Sequence, residues 1–230
     1  MDSKISGTVL PVLEITLQPT DVLIAESGEL AWKTPNVTLH TTTATAGTTS
    51  LWGAIGRALS GGGLFMTEYR AENGPGQVAF AAKVPGAILE EKVAAGRGYL
   101  VHRHGYLCGT GRVTLTTAFQ QKLGSGIFGG NGFMMQKVGG EGTAWVELGG
   151  EVVTKDLRAG EVLDVHPGHV GMLEESVSFD ITTIPGVRNK LFGGDGFFLA
   201  RLTGPGRVWL QTLTVPHLAH AIEPYLPRSE

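Results

Sequence analysis

The chain is built from short runs in which apolar and polar residues alternate. Val177-Ser178-Phe179-Asp180-Ile181 is the clearest case. A period of two places Val177, Phe179 and Ile181 on one face, as a half-buried strand requires. Similar short runs, bounded by Gly, Pro, Asn and Asp, predict strands along most of the chain. Helical spacing is found at only two places, residues 49–59 and 216–223. In the first, Leu51, Trp52, Ile55 and Leu59 share one helical face. In the second, Pro216 suits a first helical turn.

The runs repeat. Gly74-Pro75-Gly76, Gly140-Glu141-Gly142 and Gly204-Pro205-Gly206 each precede a strand-like segment. Gly142 follows Gly76 by 66 residues, and Gly206 follows Gly142 by 64. Upstream, the β-branched segments starting at Val37, Val113 and Val177 are spaced by 76 and then 64 residues. Apolar runs at Leu64, Phe133 and Phe197 keep the same order, as do runs at Asp21, Arg97 and Glu161. Agreement of several landmarks predicts three copies of one all-β unit, at about 19–84, 95–148 and 159–215, within a single domain spanning 1–230. The expected fold is three β-roll units in one compact pseudo-threefold domain. The first copy carries an insertion over 41–64, which accounts for the longer first spacing.

Composition explains the turns and excludes several classes. Of 230 residues, 35 are Gly, against a usual share of about 7%. Tight turns between many short strands use residues that tolerate positive φ. Only 17% of residues are charged and the net charge is −3, so neither a disordered chain nor a DNA-binding surface is expected. The single cysteine, Cys108, lies in an apolar run and reads as a buried structural thiol. No charged segment followed by an apolar one opens the chain, and a cytoplasmic location is expected.

Three segments together resemble a known family. They are Arg57-Ala58-Leu59-Ser60-Gly61-Gly62-Gly63-Leu64-Phe65-Met66-Thr67, Val165-His166-Pro167-Gly168-His169-Val170 and Gly204-Pro205-Gly206-Arg207-Val208-Trp209-Leu210-Gln211-Thr212. In that order they are similar to the altered-inheritance-of-mitochondria family of mitochondrial biogenesis proteins and its bacterial members. The resemblance implies a double-stranded β-helix type of roll, related to the tryptophan RNA-binding attenuation protein and repeated three times. It also implies a homotrimer.

Candidate chemistry is sparse. His102-Arg103-His104 and His166-Pro167-Gly168-His169 pair histidines as a cupin-like metal centre would. His102 and His166 hold equivalent repeat positions, however, and Glu26 stands there in the first copy. The preferred reading is polar residues in equivalent strand-end turns, without a bound metal or cofactor. Gly124-Ser125-Gly126-Ile127-Phe128-Gly129 lacks the lysine and the βαβ setting of a phosphate loop. The apolar face of Leu51, Trp52, Ile55 and Leu59 is a candidate oligomer interface, with contact to a membrane surface as the alternative. Arg188, Lys190, Arg201 and Arg207 are expected to lie on a solvated face. The expected function is a non-enzymatic oligomeric binding or scaffold module. The alternatives are a small-molecule or RNA-binding regulator, by analogy with the attenuation protein, and a cupin-like metal-dependent enzyme.

Overall fold

The computed structural model describes residues 1–42, 66–121, 133–183 and 198–226. The first roll comprises β1 (Asp2–Ser6), β2 (Val12–Leu17), β3 (Leu23–Glu26), β4 (Trp32–Lys33), β5 (Val37–Thr42), β6 (Met66–Ala71) and β7 (Gly76–Ala81). The second comprises β8 (Gly86–Val93), β9 (Tyr99–His102), β10 (Tyr106–Thr110), β11 (Val113–Gln121), β12 (Phe133–Gly140) and β13 (Gly142–Gly149). The third comprises β14 (Val152–Leu157), β15 (Val162–Val165), β16 (Val170–Glu174), β17 (Ser178–Thr183), β18 (Phe198–Thr203) and β19 (Gly206–Gln211). Helix α1 (Val215–Ile222) follows, with Pro216 in its first turn as predicted.

Each roll is made of two half-sheets. In one half the last strand sits between two others: β2–β7–β4, β8–β13–β10 and β14–β19–β16. In the other half the last strand but one does so: β3–β6–β5, β9–β12–β11 and β15–β18–β17. All of these pairs are antiparallel. Successive rolls share sheets. β3 pairs with β10 and β9 pairs with β16, so two six-stranded sheets each join half of one roll to half of the next.

Three apolar cores lie between successive sheets. The first gathers Leu13, Ile15, Val78 and Phe80 against Leu23, Tyr69, Leu107 and Trp145. The second gathers Tyr106, Val146 and Leu148 against Tyr99, Val101, Met172 and Trp209. The third gathers Met135, Leu173 and Val208 against Ala200 and Leu202. A shared sheet is therefore covered on both faces, which is why Tyr106-Leu107-Cys108 is buried throughout rather than alternating.

The repeated glycines are fixed by close approach. A Cβ on Gly76 would lie 2.5 Å from Val37 Cγ2, and one on Gly206 would lie 2.7 Å from Val177 Cγ2. A Cβ on Gly142 would overlap Thr110 Oγ1 and crowd Val113 Cγ2. Val37, Val113 and Val177 hold equivalent places, so the same contact demands the same glycine in each roll. Gly142 and Gly206 also adopt φ values of 147° and 145°, which disfavour any side chain.

The predicted helix 49–59, with Leu51, Trp52, Ile55 and Leu59, lies outside the described residues, as do Arg188 and Lys190. Arg201 forks onto Asp164 with two contacts of 2.8 Å, and Arg207 Nε lies 2.7 Å from Asp156. Both pairs bridge neighbouring strands on the surface.

Candidate functional site

The strand-end turns after β9 and β15 carry the predicted histidines. His102 ends β9, and its Nε2–H donates to the Glu147 carbonyl on β13 at 3.2 Å. Burial pushes its pKa down to about 4, against weaker opposition from that hydrogen bond. His104 occupies the turn at φ 70°, and its pKa is lowered by burial and by the nearby Arg103 and Lys83 cations. In the third roll His169, at the end of a short 3-10 helix (Pro167–His169), donates from Nδ1 to the Gln211 carbonyl at 2.7 Å.

Glu147 and Gln211 are equivalent, each five residues after its repeat glycine, Gly142 or Gly206. Two histidines thus brace the same carbonyl position in successive rolls. His166, the register equivalent of His102, does not take that role. It packs instead against the rings of His169 and His217, with centroids 5.7 and 5.9 Å away. The two histidine pairs sit in different turns. No group of three His, Cys, Asp or Glu side chains is placed to hold a metal among the described residues.

These turns open on a cavity of about 470 Å³ between the second and third rolls. Val84, Phe133, Met134, Val170, Leu213 and Pro216 supply much of its apolar wall, with α1 along one side. Thr214 caps α1 by accepting the His217 N–H at 3.2 Å. Its polar lining includes Lys83, His102, Arg103, His104 and Glu147, with Gln211, Thr214 and His220 beside α1. Glu147 is only 4% exposed. Its Oε1 accepts the backbone N–H groups of Lys83 and Val84 at 2.7 and 3.3 Å. Its Oε2 has no hydrogen-bond partner among the described residues, and burial raises its pKa. Lys83 Nζ is 3.9 Å from that oxygen but pairs more closely with Glu29, at 2.9 Å.

Sequence reasoning did not single out Lys83, Glu147 or Gln211. A signal existed for the last two: each is a polar residue in an otherwise apolar strand, at the same distance from a repeat glycine.

The serial rolls and shared sheets define an all-β repeat protein with a cavity at a roll junction. Residues 3–213 match the family described as mitochondrial biogenesis AIM24, and the chain belongs to that family. It is 27% identical over 223 residues to an uncharacterised protein of Streptococcus pyogenes serotype M6, covering 95% of this chain and 88% of that one. Its fold is similar to the crystal structure of a Streptococcus pyogenes protein, with a TM-score of 0.77 and 25% identity, covering 98% of this chain and 99% of that one. No helix among the described residues is long and apolar enough to cross a membrane.

Proposed function

We propose that the protein is a non-enzymatic binding or scaffold module that assembles head to tail into a closed homotrimeric ring. The observation that supports this reading is the pair of open half-sheets at the two ends of the roll series. The internal junctions join β3 to β10 and β9 to β16, equivalent strands of successive rolls. By topology β15 matches β3 and β9, while β4 matches β10 and β16. Among the described residues β4 pairs only with β7, and β15 only with β18. Exposure follows the same division. Cys108 and Met172 are fully buried, whereas Trp32, at the matching place on β4, is 47% exposed. An unpaired strand edge is a template for another chain, and a head-to-tail contact avoids open filaments only by closing a ring.

The internal registers specify the external one. Cys108 faces Ala25 and Met172 faces Val101. Carried to the ends, Trp32 of one copy faces Val165 of the next, and Lys33 faces Asp164. The second pair is of opposite charge, which favours this alignment.

Light scattering coupled to size exclusion is expected to give three times the 24.3 kDa chain mass. A Lys33→Cys, Asp164→Cys double variant should form disulfides between copies, because directly opposed antiparallel residues lie about 4.5–5.5 Å apart. A monomer at every concentration, with no such crosslink, would overturn the reading.

A further inference from the structure

The geometry points to the cavity between the second and third rolls as a binding site for a small carboxylate with an apolar body. The site lies within one copy of the chain, so it does not depend on the assembly proposed above. Its volume, about 470 Å³, falls within the roughly 300–1,000 Å³ usual for small-molecule sites. The apolar walls suit a hydrocarbon or aromatic body, and Lys83, Arg103 and Glu147 supply charged groups that can orient an amphipathic ligand.

Two of these groups lack a side-chain hydrogen bond to any described residue. The Arg103 guanidinium, half-buried on the rim, makes no hydrogen bond or ion pair with a described residue. The turn that carries it is anchored by the Arg103 backbone N–H, which donates to the Met134 carbonyl at 3.1 Å. Lys83 is already engaged by Glu29, so among the described lining residues Arg103 is the arginine or lysine without an ion pair, with the Glu26 carboxylate in its neighbourhood. A planar guanidinium fork matches a carboxylate in two parallel hydrogen bonds. The second group is Glu147 Oε2, buried and without a hydrogen-bond partner.

Those two facts select the charge of the head group. A cationic head would face Arg103, Lys83 and the His102 and His104 rings. A carboxylate head could take the Arg103 fork and a hydrogen bond from Glu147, both of which line the cavity. Beside a ligand carboxylate Glu147 Oε2 fits only as a protonated donor, and its burial already disfavours the ionised form. Binding of an anion beside Glu147 raises its pKa further, so binding should take up a proton.

The test is calorimetric titration of the full chain with sodium decanoate, decyltrimethylammonium bromide and 1-decanol, each below its aggregation threshold. Decanoate is expected to bind with one-to-one stoichiometry, at least tenfold more tightly than either of the others. Arg103→Gln should weaken decanoate at least tenfold and leave 1-decanol unchanged. Ala219→Trp, on the exposed face of α1 that borders the cavity, should abolish binding of both without unfolding the protein. Runs in two buffers of different ionisation enthalpy should reveal proton uptake in the wild type and none in Glu147→Gln. No binding of decanoate, equal binding of the cationic amphiphile, or an unchanged affinity in Arg103→Gln would each overturn the proposal.

Discussion

Gln136 on β12 donates a 2.6 Å hydrogen bond from Nε2 to Glu26 Oε1 at the end of β3, across 110 residues of sequence. Gln136 is 1% exposed, so the bond links two rolls inside the molecule. Burial raises the Glu26 pKa and the Gln136 amide pulls it back. Gln136→Leu removes the donor and should cost about 1–3 kcal/mol at neutral pH. A carboxyl with a raised folded pKa favours the native state below its unfolded value, and loses that contribution as pH rises through the folded value. Without Gln136 that value rises further. Urea unfolding should therefore show a smaller deficit for the variant at pH 4 than at pH 7.

His102 works in the opposite direction. Its folded pKa, about 4, lies below the ordinary 6.5, so the unfolded chain binds the extra proton between those values. Stability from this group is present above pH 6.5 and is lost as pH falls towards 4. The full effect is about 3 kcal/mol. Denaturant titrations across that window should show the loss in the wild type. A His102→Gln variant should show a shallower slope.

Glycines that share a positive φ should differ in their tolerance of substitution. Gly142 and Gly160 both have positive φ, at 147° and 76°. A Cβ on Gly160 meets nothing within 4 Å, whereas one on Gly142 overlaps Thr110. Gly160→Ala should cost about 1 kcal/mol from backbone strain alone. Gly142→Ala adds a steric clash that must shift β10 or β11, and should cost at least about 2 kcal/mol more. Thermal unfolding of the two variants gives the comparison.

Cys108 is fully buried, and burial pushes its thiol pKa well up. The thiolate is the reactive form, so the native protein should leave a thiol reagent such as dithionitrobenzoate almost unconsumed. In denaturing urea one equivalent should react. Rapid labelling of the native protein would contradict the packing of β10 between two cores.

Thr214 is 3% exposed and caps α1. Thr214→Ala should cost about 0.5–2 kcal/mol. The loss should be concentrated in α1, where amide hydrogen exchange would quicken ahead of the strands. Because α1 borders the cavity, the variant should also loosen one of its walls.

Much of the fold is legible in local patterns. The alternation at Val177–Ile181, the three glycine turns and the Pro216 helix start all have local causes: side-chain period, permitted φ and a fixed proline ring. The segments outside the predicted repeat units are instructive. β2, β8 and β14 lie outside 19–84, 95–148 and 159–215, yet each flanks the last strand of its roll. β14, Val152-Val153-Thr154-Lys155-Asp156-Leu157, is mostly exposed and buries only Leu157. An outer strand with so little buried surface carries a weak hydrophobic signature, and its place is set by the ladder to β19. The histidine turns were recognisable as equivalent, but their contacts were not. His169, rather than His166, reaches the Gln211 carbonyl because the short helix after β15 turns the chain before the ring can meet β19.

The sequence alone determined an all-β chain of three repeats, because strand period and glycine turns depend on residues close together along the chain. Tertiary structure decided that each roll lends half of itself to the next, since nothing local distinguishes the partner of β3 from that of β4. It also decided that Arg103 and Glu147 face one cavity. They belong to different half-sheets, and only the closure of the second roll brings the guanidinium and a buried carboxyl to the same apolar space.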